Sequence, residues 1–179
     1  MKHKSVLFIT QAAAIAALYA TLTILQNILL PGSASMAIQF RVSEVLTILA
    51  IYTPAAIPGL TLGCVVANIS SIQALGFYDL VFGSLASLIA ACAMYALRNE
   101  RICKIPFFSL LMPALANGVI VGFEIDFFFV NQFSFNLVDF LIQGGLVALG
   151  ELAVLMILGL PLSILFEKQN LAKKLKLTE

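Results

Sequence analysis

From Val6 to Leu30 the chain carries no charged residue. A helix of roughly 20 apolar residues spans a bilayer, and this run exceeds that length. The lysines before it suggest a signal peptide, but the run is too long for a cleaved segment and reads as a first membrane span. Composition extends the argument to the whole chain. Charged residues make up 11% and hydrophobic ones 61%, with no Trp. Soluble domains carry about 25% charged residues, so water is not the main solvent here. The 179 residues leave room for about six helices of membrane length with short loops. The expected fold is an all-α, six-transmembrane-helix bundle forming a single integral membrane domain over 1–179.

The expected spans are roughly 6–30, 41–53, 55–71, 80–97, 106–124 and 137–166. Pro31 and Gly32 close the first, and "PGSASMAIQF" follows as a small-residue loop. Pro54 and Pro58 bracket a tight connection after the second, because proline breaks or starts a helix. "SIQALGFYD" reads as a loop. "IDFFFVNQFSFN" reads as an aromatic and polar membrane interface. A basic tail ends the chain. No heptad repeat and no clear inverted repeat occurs, which counts against the common secondary-transporter folds.

With six spans, Lys2 and Lys4, then Arg98, Arg101 and Lys104, then Lys168, Lys173, Lys174 and Lys176 share one side. That is nine of the ten basic residues. The positive-inside rule makes this side, and both termini, cytoplasmic. Arg41 is the exception. Glu44, Asp79, Glu124, Asp126 and Asp139 fall at the opposite ends of the spans, so a polar site open to the outside is expected.

Several constellations could build that site. Arg41 and Glu44 are spaced i, i+3 and could pair on one helix face. That pair could be a structural clasp, a ligand contact or both. Asn117 and Glu124 are seven apart and share a face, with Gly118 and Gly122 beside them as a G-x-x-x-G packing motif. Gln143 and Glu151 are eight apart, about 80° around the helix, and border one strip with Asp139 nearer the outer end. Glu151 has no loop nearby to solvate it, so it must be protonated, paired or in a wet cavity. A hydrogen bond to Asn68 would give it a structural role instead. The run "QAAAIAALYA" repeats small residues four apart at Ala12, Ala13, Ala16, Ala17 and Ala20. Such faces serve close helix packing, within the bundle or against another membrane protein. Gly59, Gly63 and Ala67 repeat the theme.

The three cysteines, Cys64, Cys92 and Cys103, form no C-x-x-C pair, and His3 is the sole histidine. A zinc or iron–sulfur site is not expected, and each Cys reads as a small buried hydrophobe. No Ser-His-Asp set, Walker motif or H-E-x-x-H is present. An enzyme using Glu124, Asp139 and Glu151 as acid–base groups would lack a nucleophile, metal or cofactor motif. A purely structural bilayer protein would have no use for the outer polar residues, which are expensive in lipid.

The blocks "QFRVSEVLTILAIYTPAAIPGLTLGCVVANI", "GFYDLVFGSLASLIAA", "NGVIVGFE" and "GGLVALGELAVLMILGLPL" resemble the QueT family. These are substrate-binding S components of energy-coupling-factor (ECF) transporters, assigned to queuosine precursors. The resemblance covers nearly the whole chain, and diverges in the first loop and in "EIDFFFVNQFSFN". It implies a six-helix S-component fold with its ligand near the outer surface. It also implies an energising module of two ATPase subunits, which use the ATP, and a transmembrane coupling protein. This chain would need no cofactor of its own, and the alanine face of span one would be the docking surface.

A 7-deazaguanine suits the polar residues. Its guanine-like edge presents N–H donors that one carboxylate can accept in bidentate fashion. Its carbonyl needs a donor from Asn117, Gln143 or Arg41. Aromatic rings such as Tyr78 or Phe77 can stack on the base. The candidate ligand residues are therefore Arg41, Glu44, Asn68, Tyr78, Asp79, Asn117, Glu124, Gln143 and Glu151. The same fold with another vitamin-like ligand is the alternative.

Overall fold

The computed structural model describes residues 2–31, 33, 39–70, 72–102, 105–175 and 177, with side chains from residue 5 onward except at 73–75. Lys104, Lys176, Cys103 and most of the first loop lie outside the described residues. All described elements are helical apart from a single bridge between Ile102 and Ile105. They are α1 (Lys2–Leu29), a 3₁₀ helix η1 (Val42–Ile51), α2 (Ala56–Ser70), α3 (Ile72–Ala96) and α4 (Phe107–Glu124). A π-helical segment (Ile125–Val130) prolongs α4. Next come α5 (Leu137–Val154), a second π segment (Leu155–Gly159), α6 (Leu160–Lys168) and α7 (Leu171–Lys174).

Four stretches are long and apolar enough to cross a membrane: Ser5–Leu29, Gly76–Ala96, Phe107–Val130 and Leu137–Lys168. The elements η1 and α2 are apolar but shorter. The outer surface is hydrophobic, with Ile9, Leu18, Leu115, Leu141, Leu149 and Ile157 all more than half exposed. A soluble monomer does not present apolar surface all around itself, whereas lipid covers it. The chain is a multi-pass membrane protein.

Consecutive helices from α1 to α5 pack on one another, and η1 touches all five of them together with the second π segment. η1 is thus a central plug. A 3₁₀ run of ten residues is uncommon, and at about 2.0 Å per residue it reaches further than an α-helix of that length. It buries Ser43, Glu44, Thr47, Ile48, Ala50 and Ile51. The main apolar core gathers Ile48 and Ile51 of η1 with Ile15, Tyr19, Leu60, Met94 and Leu110.

Small residues set the helix spacing. A Cβ on Gly59 would lie 2.8 Å from the Ala12 carbonyl, and one on Gly63 would lie 2.9 Å from the Ala16 carbonyl. A Cβ on Gly122 would lie 2.5 Å from the Gly144 Cα. The G-x-x-x-G of α4 is therefore a packing motif against α5, as expected.

Three sequence expectations are corrected. "SIQALGFYD" is not an open loop: from Ile72 it is helical, interrupted at Gly76 by a φ of 74° that glycine alone adopts readily. The fifth span, expected over about 106–124, runs on helically through Ile125–Val130, because an aromatic-rich strip can stay in a helix while its rings pack at the membrane surface. Cys92 is exposed rather than buried, since lipid accepts a small thiol as readily as a core does.

Candidate functional site

The interior polar side chains come from five elements. Glu44 is 1% exposed, Glu124 1%, Glu151 2%, Asp79 5% and Asn117 5%. Arg41 and Asn68 are buried with them. Each arrives for a local reason. Asn117 and Glu124 share one face of α4 two turns apart. Asp79 follows the Gly76 break by one turn, on the inner face of α3. Glu151 follows Gly150, where a Cβ would lie 2.5 Å from the Gln39 carbonyl. That close approach straps the chain leading into Arg41 against α5.

Asn117 Nδ2 donates to Glu151 Oε1 at 2.8 Å. Tyr19 Oη, fully buried on α1, donates to Glu44 Oε1. Asn68 Nδ2 donates to the Asp79 carbonyl at 2.9 Å and faces Cys64 Sγ at 3.6 Å. Arg41 Nη1 faces the same sulfur at 3.8 Å. Arg41 also acts electrostatically on Glu44, Asp79, Glu124 and Glu151. Among the described residues it is the one buried cation.

The expected i, i+3 pairing of Arg41 with Glu44 does not form. Arg41 precedes η1 in an extended conformation, φ −92° and ψ 102°, so helical spacing does not apply to it. Tyr19 takes the Glu44 carboxylate instead. Glu151 bonds to Asn117 rather than Asn68.

Four carboxylate oxygens in this interior have no hydrogen-bond partner among the described residues: Glu44 Oε2, Asp79 Oδ2, Glu124 Oε2 and Glu151 Oε2. Arg41 Nε and the hydroxyls of Ser84 and Ser87 share that condition. A buried polar atom left unpaired costs about 1–3 kcal/mol, more when charged. The four carboxylate oxygens and Arg41 Nε mark an interior shaped for something other than its own packing.

Two expected residues sit apart. Gln143 is half-buried on α5, outside this hydrogen-bond network. Tyr78 belongs to an aromatic cluster at the end of α4, where its ring stacks on Phe128 at 3.9 Å and meets Phe133 edge-on. Phe82, Phe123 and Phe127 continue that cluster. Beside it, Asn131 Nδ2 joins Asp126 Oδ1 at 2.6 Å and Asp139 Oδ2 at 3.1 Å. The Asn136 amide donates to Asp126 Oδ2 at 3.2 Å. These acids tie the end of α4 to the start of α5.

Sequence reasoning missed Tyr19, Cys64 and Ser87. The signal for Tyr19 was available: Tyr19, Thr23 and Gln26 follow one another at helical spacing. Thr23 Oγ1 donates to Ser43 Oγ at 2.7 Å, and the Val42 amide donates to Gln26 Oε1 at 2.8 Å. This polar stripe of α1 holds η1 in place.

The alanines of α1 divide. Ala12 and Ala20 are buried within the chain, Ala16 is half-buried, and Ala13 and Ala17 are exposed.

At the other end of the molecule, Arg101 Nη1 pairs with Glu167 Oε1 at 2.9 Å, and Tyr52 Oη also donates to Glu167 at 3.2 Å. Thr53 Oγ1 donates to Gln11 of α1 at 3.4 Å. The early part of α1, the α3–α4 connection and the end of α6 therefore lie together, far from the acids.

A family model described as "QueT transporter" matches residues 9–168. The chain is 30% identical over 167 residues to the queuosine precursor transporter QueT of Lactococcus lactis subsp. cremoris (strain MG1363). That alignment covers 88% of this chain and 90% of the relative. No solved structure matches the chain. Matched along almost its whole length, the chain belongs to the QueT transporter family.

Proposed function

We propose that this chain is the substrate-capture S component of an ECF-type importer, and that it binds a queuosine precursor of the 7-deazaguanine type. The observation that carries the reading is the set of buried carboxylates around Arg41, each with one oxygen lacking a protein partner. A guanine-like edge supplies N–H donors to such oxygens, and Arg41 or Asn117 supplies a donor to its carbonyl. The aromatic cluster around Tyr78 and Phe128 forms the outer wall. Access lies on that side, because the opposite end is closed by the Arg101–Glu167 and Tyr52 contacts.

Family membership supports the rest of the reading. In it the chain folds as six membrane segments, with η1 and α2 as the two short ones. Both termini are cytoplasmic, placing the basic end inside. The coupling protein docks on the exposed part of the α1 small-residue face, and two partner ATPases supply the energy. The chain is not an enzyme in this reading.

Calorimetric titration of the purified protein with 7-deazaguanines and with standard vitamins tests it. Binding of a 7-deazaguanine in preference to the vitamins is expected. Loss of one charge-assisted hydrogen bond costs about 1.5–3 kcal/mol, or about 10- to 150-fold in affinity. Glu124→Gln and Glu151→Gln are each expected to weaken binding in that range. Wild-type affinity in both variants would remove these residues from the site, and selective binding of a vitamin would reassign the substrate.

A further inference from the structure

Gln26 of α1 is 7% exposed, and a buried amide needs hydrogen-bond partners. It finds them on the chain either side of Arg41. Nε2 donates to the Phe40 carbonyl, and Oε1 accepts from the Val42 amide at 2.8 Å. Nε2 also donates to Ser33 Oγ at 2.9 Å. One amide that takes the carbonyl before a residue and the N–H after it does what a neighbouring strand does in a parallel sheet. The backbone is extended at Arg41, φ −92° and ψ 102°. Burial alternates to match, with Gln39 and Arg41 buried and Phe40 and Val42 exposed, as successive side chains of an extended chain point to opposite faces. The Gln39 carbonyl, one residue earlier, meets α5, where a Cβ on Gly150 would lie 2.5 Å from it. The guanidinium is held less firmly than its backbone. Nη1 faces Cys64 Sγ, a weak acceptor, at 3.8 Å, and Nε has no hydrogen-bond partner among the described residues.

From these contacts we infer that Gln26, with Gly150 on the α5 side, is a positioning residue for ligand binding: it fixes the backbone on both sides of Arg41 so that the guanidinium stands ready for an acceptor on the ligand. The inference rests on the reading above, in which Arg41 faces the ligand, and adds to it a residue that does not touch the ligand. Both N–H donors of Gln26 and its carbonyl are already engaged, so it has no donor left to offer. Anchoring Arg41 through its main chain leaves the donors of its head uncommitted. A cation placed in advance loses less freedom when the ligand arrives, which raises affinity without any new contact.

The test is a double-mutant cycle: calorimetric titration with 7-aminomethyl-7-deazaguanine of the wild type, Gln26→Leu, Arg41→Met and the double variant. Arg41→Met should weaken binding about 10- to 150-fold, the range for a charge-assisted hydrogen bond. Gln26→Leu should weaken it about 10-fold. The double variant should bind within a few-fold of Arg41→Met alone, because Gln26 acts through Arg41. A contact that only stabilised the fold would give losses that multiply, and that result would overturn the inference. Wild-type affinity in Gln26→Leu would overturn it too. Wild-type affinity in Arg41→Met would overturn it and leave the transport reading standing, whereas absence of binding by the wild type would overturn both. Should Gln26→Leu fail to fold, Gly150→Ala, which presses on the same stretch of chain from α5, enters the cycle in its place with the same expected and overturning results.

Discussion

An arginine at the centre of a helix in lipid costs about 2.5–3.5 kcal/mol on insertion scales. Arg41 is buried in this bundle nonetheless. Its companions explain why: four acids share its field, and Cys64 lies against Nη1. The Tyr19–Glu44 hydrogen bond is one of the contacts that fix η1 to α1, beside Thr23–Ser43 and Gln26–Val42. Tyr19→Phe removes the donor and leaves both Glu44 oxygens unpaired, at about 1.5–3 kcal/mol if the carboxylate is ionised. A lower melting temperature in detergent and weaker ligand binding are expected. An unchanged melting curve together with unchanged affinity would show that the bond is incidental. The burial of most of these residues was legible in the sequence, because Glu44, Asp79, Glu124 and Glu151 are charges where lipid-facing helices cannot keep them. Their partners were not. The Arg41–Glu44 pairing was assumed from helical spacing, and the extended backbone at Arg41 cancels that assumption. Which donor reaches which carboxylate depends on how η1 crosses the other helices, and no local spacing encodes that.

At the scale of elements, the apolar runs and prolines located α1, α2 and the α5–α6 run to within a few residues, whereas α3 starts well before its expected bound and α4 is prolonged to Val130. Proline and glycine signals were less informative where helix type changes. Pro161 lies at the start of α6, directly after the π segment Leu155–Gly159. A proline ring crowds the carbonyl one turn back and provides no donor for it, and a wider π turn accommodates this without ending the helix. The sequence therefore reads as one span, and the chain does run as one. The 3₁₀ form of η1 had no such signal, since its composition suits an α-helix equally well. The packing of α4 on α5 gives a sharper test. At Gly122 a Cβ meets the backbone of Gly144, which cannot rotate away, whereas at Gly145 a Cβ meets nothing within 4 Å. Overpacking costs about 1–3 kcal/mol. Gly122→Ala is expected to lower the melting temperature, and Gly145→Ala to leave it unchanged or slightly raise it. Equal effects at the two positions would mean that helix propensity, not close approach, governs this pair.

At the scale of the whole molecule, the two ends are chemically opposite. Arg98, Arg101 and Glu167 gather at one end, and the inner acids approach the other. If the basic end is cytoplasmic, a single Cys near Lys173, on a background lacking the native cysteines, stays unmodified by an impermeant thiol reagent in intact cells. Labelling there would invert the orientation. The α1 face carries a finer test, because its alanines do not all look the same way. Ala12 is 8% exposed, and its carbonyl lies where a Cβ on Gly59 would stand, whereas Ala13 and Ala17 face outward. A coupling protein that approaches α1 closely must do so over Ala13 and Ala17, since small residues let helices come together. Ala13→Leu and Ala17→Leu are expected to reduce co-purification of the energising module while leaving ligand affinity within a few-fold. Ala12→Leu should instead separate α1 from α2 and lower the melting temperature of the isolated chain. If Ala13→Leu and Ala17→Leu left assembly intact, docking would lie on another face. If they also abolished ligand binding, the outward alanines would report on the Tyr19–Glu44 contact one or two turns along α1 rather than on a partner.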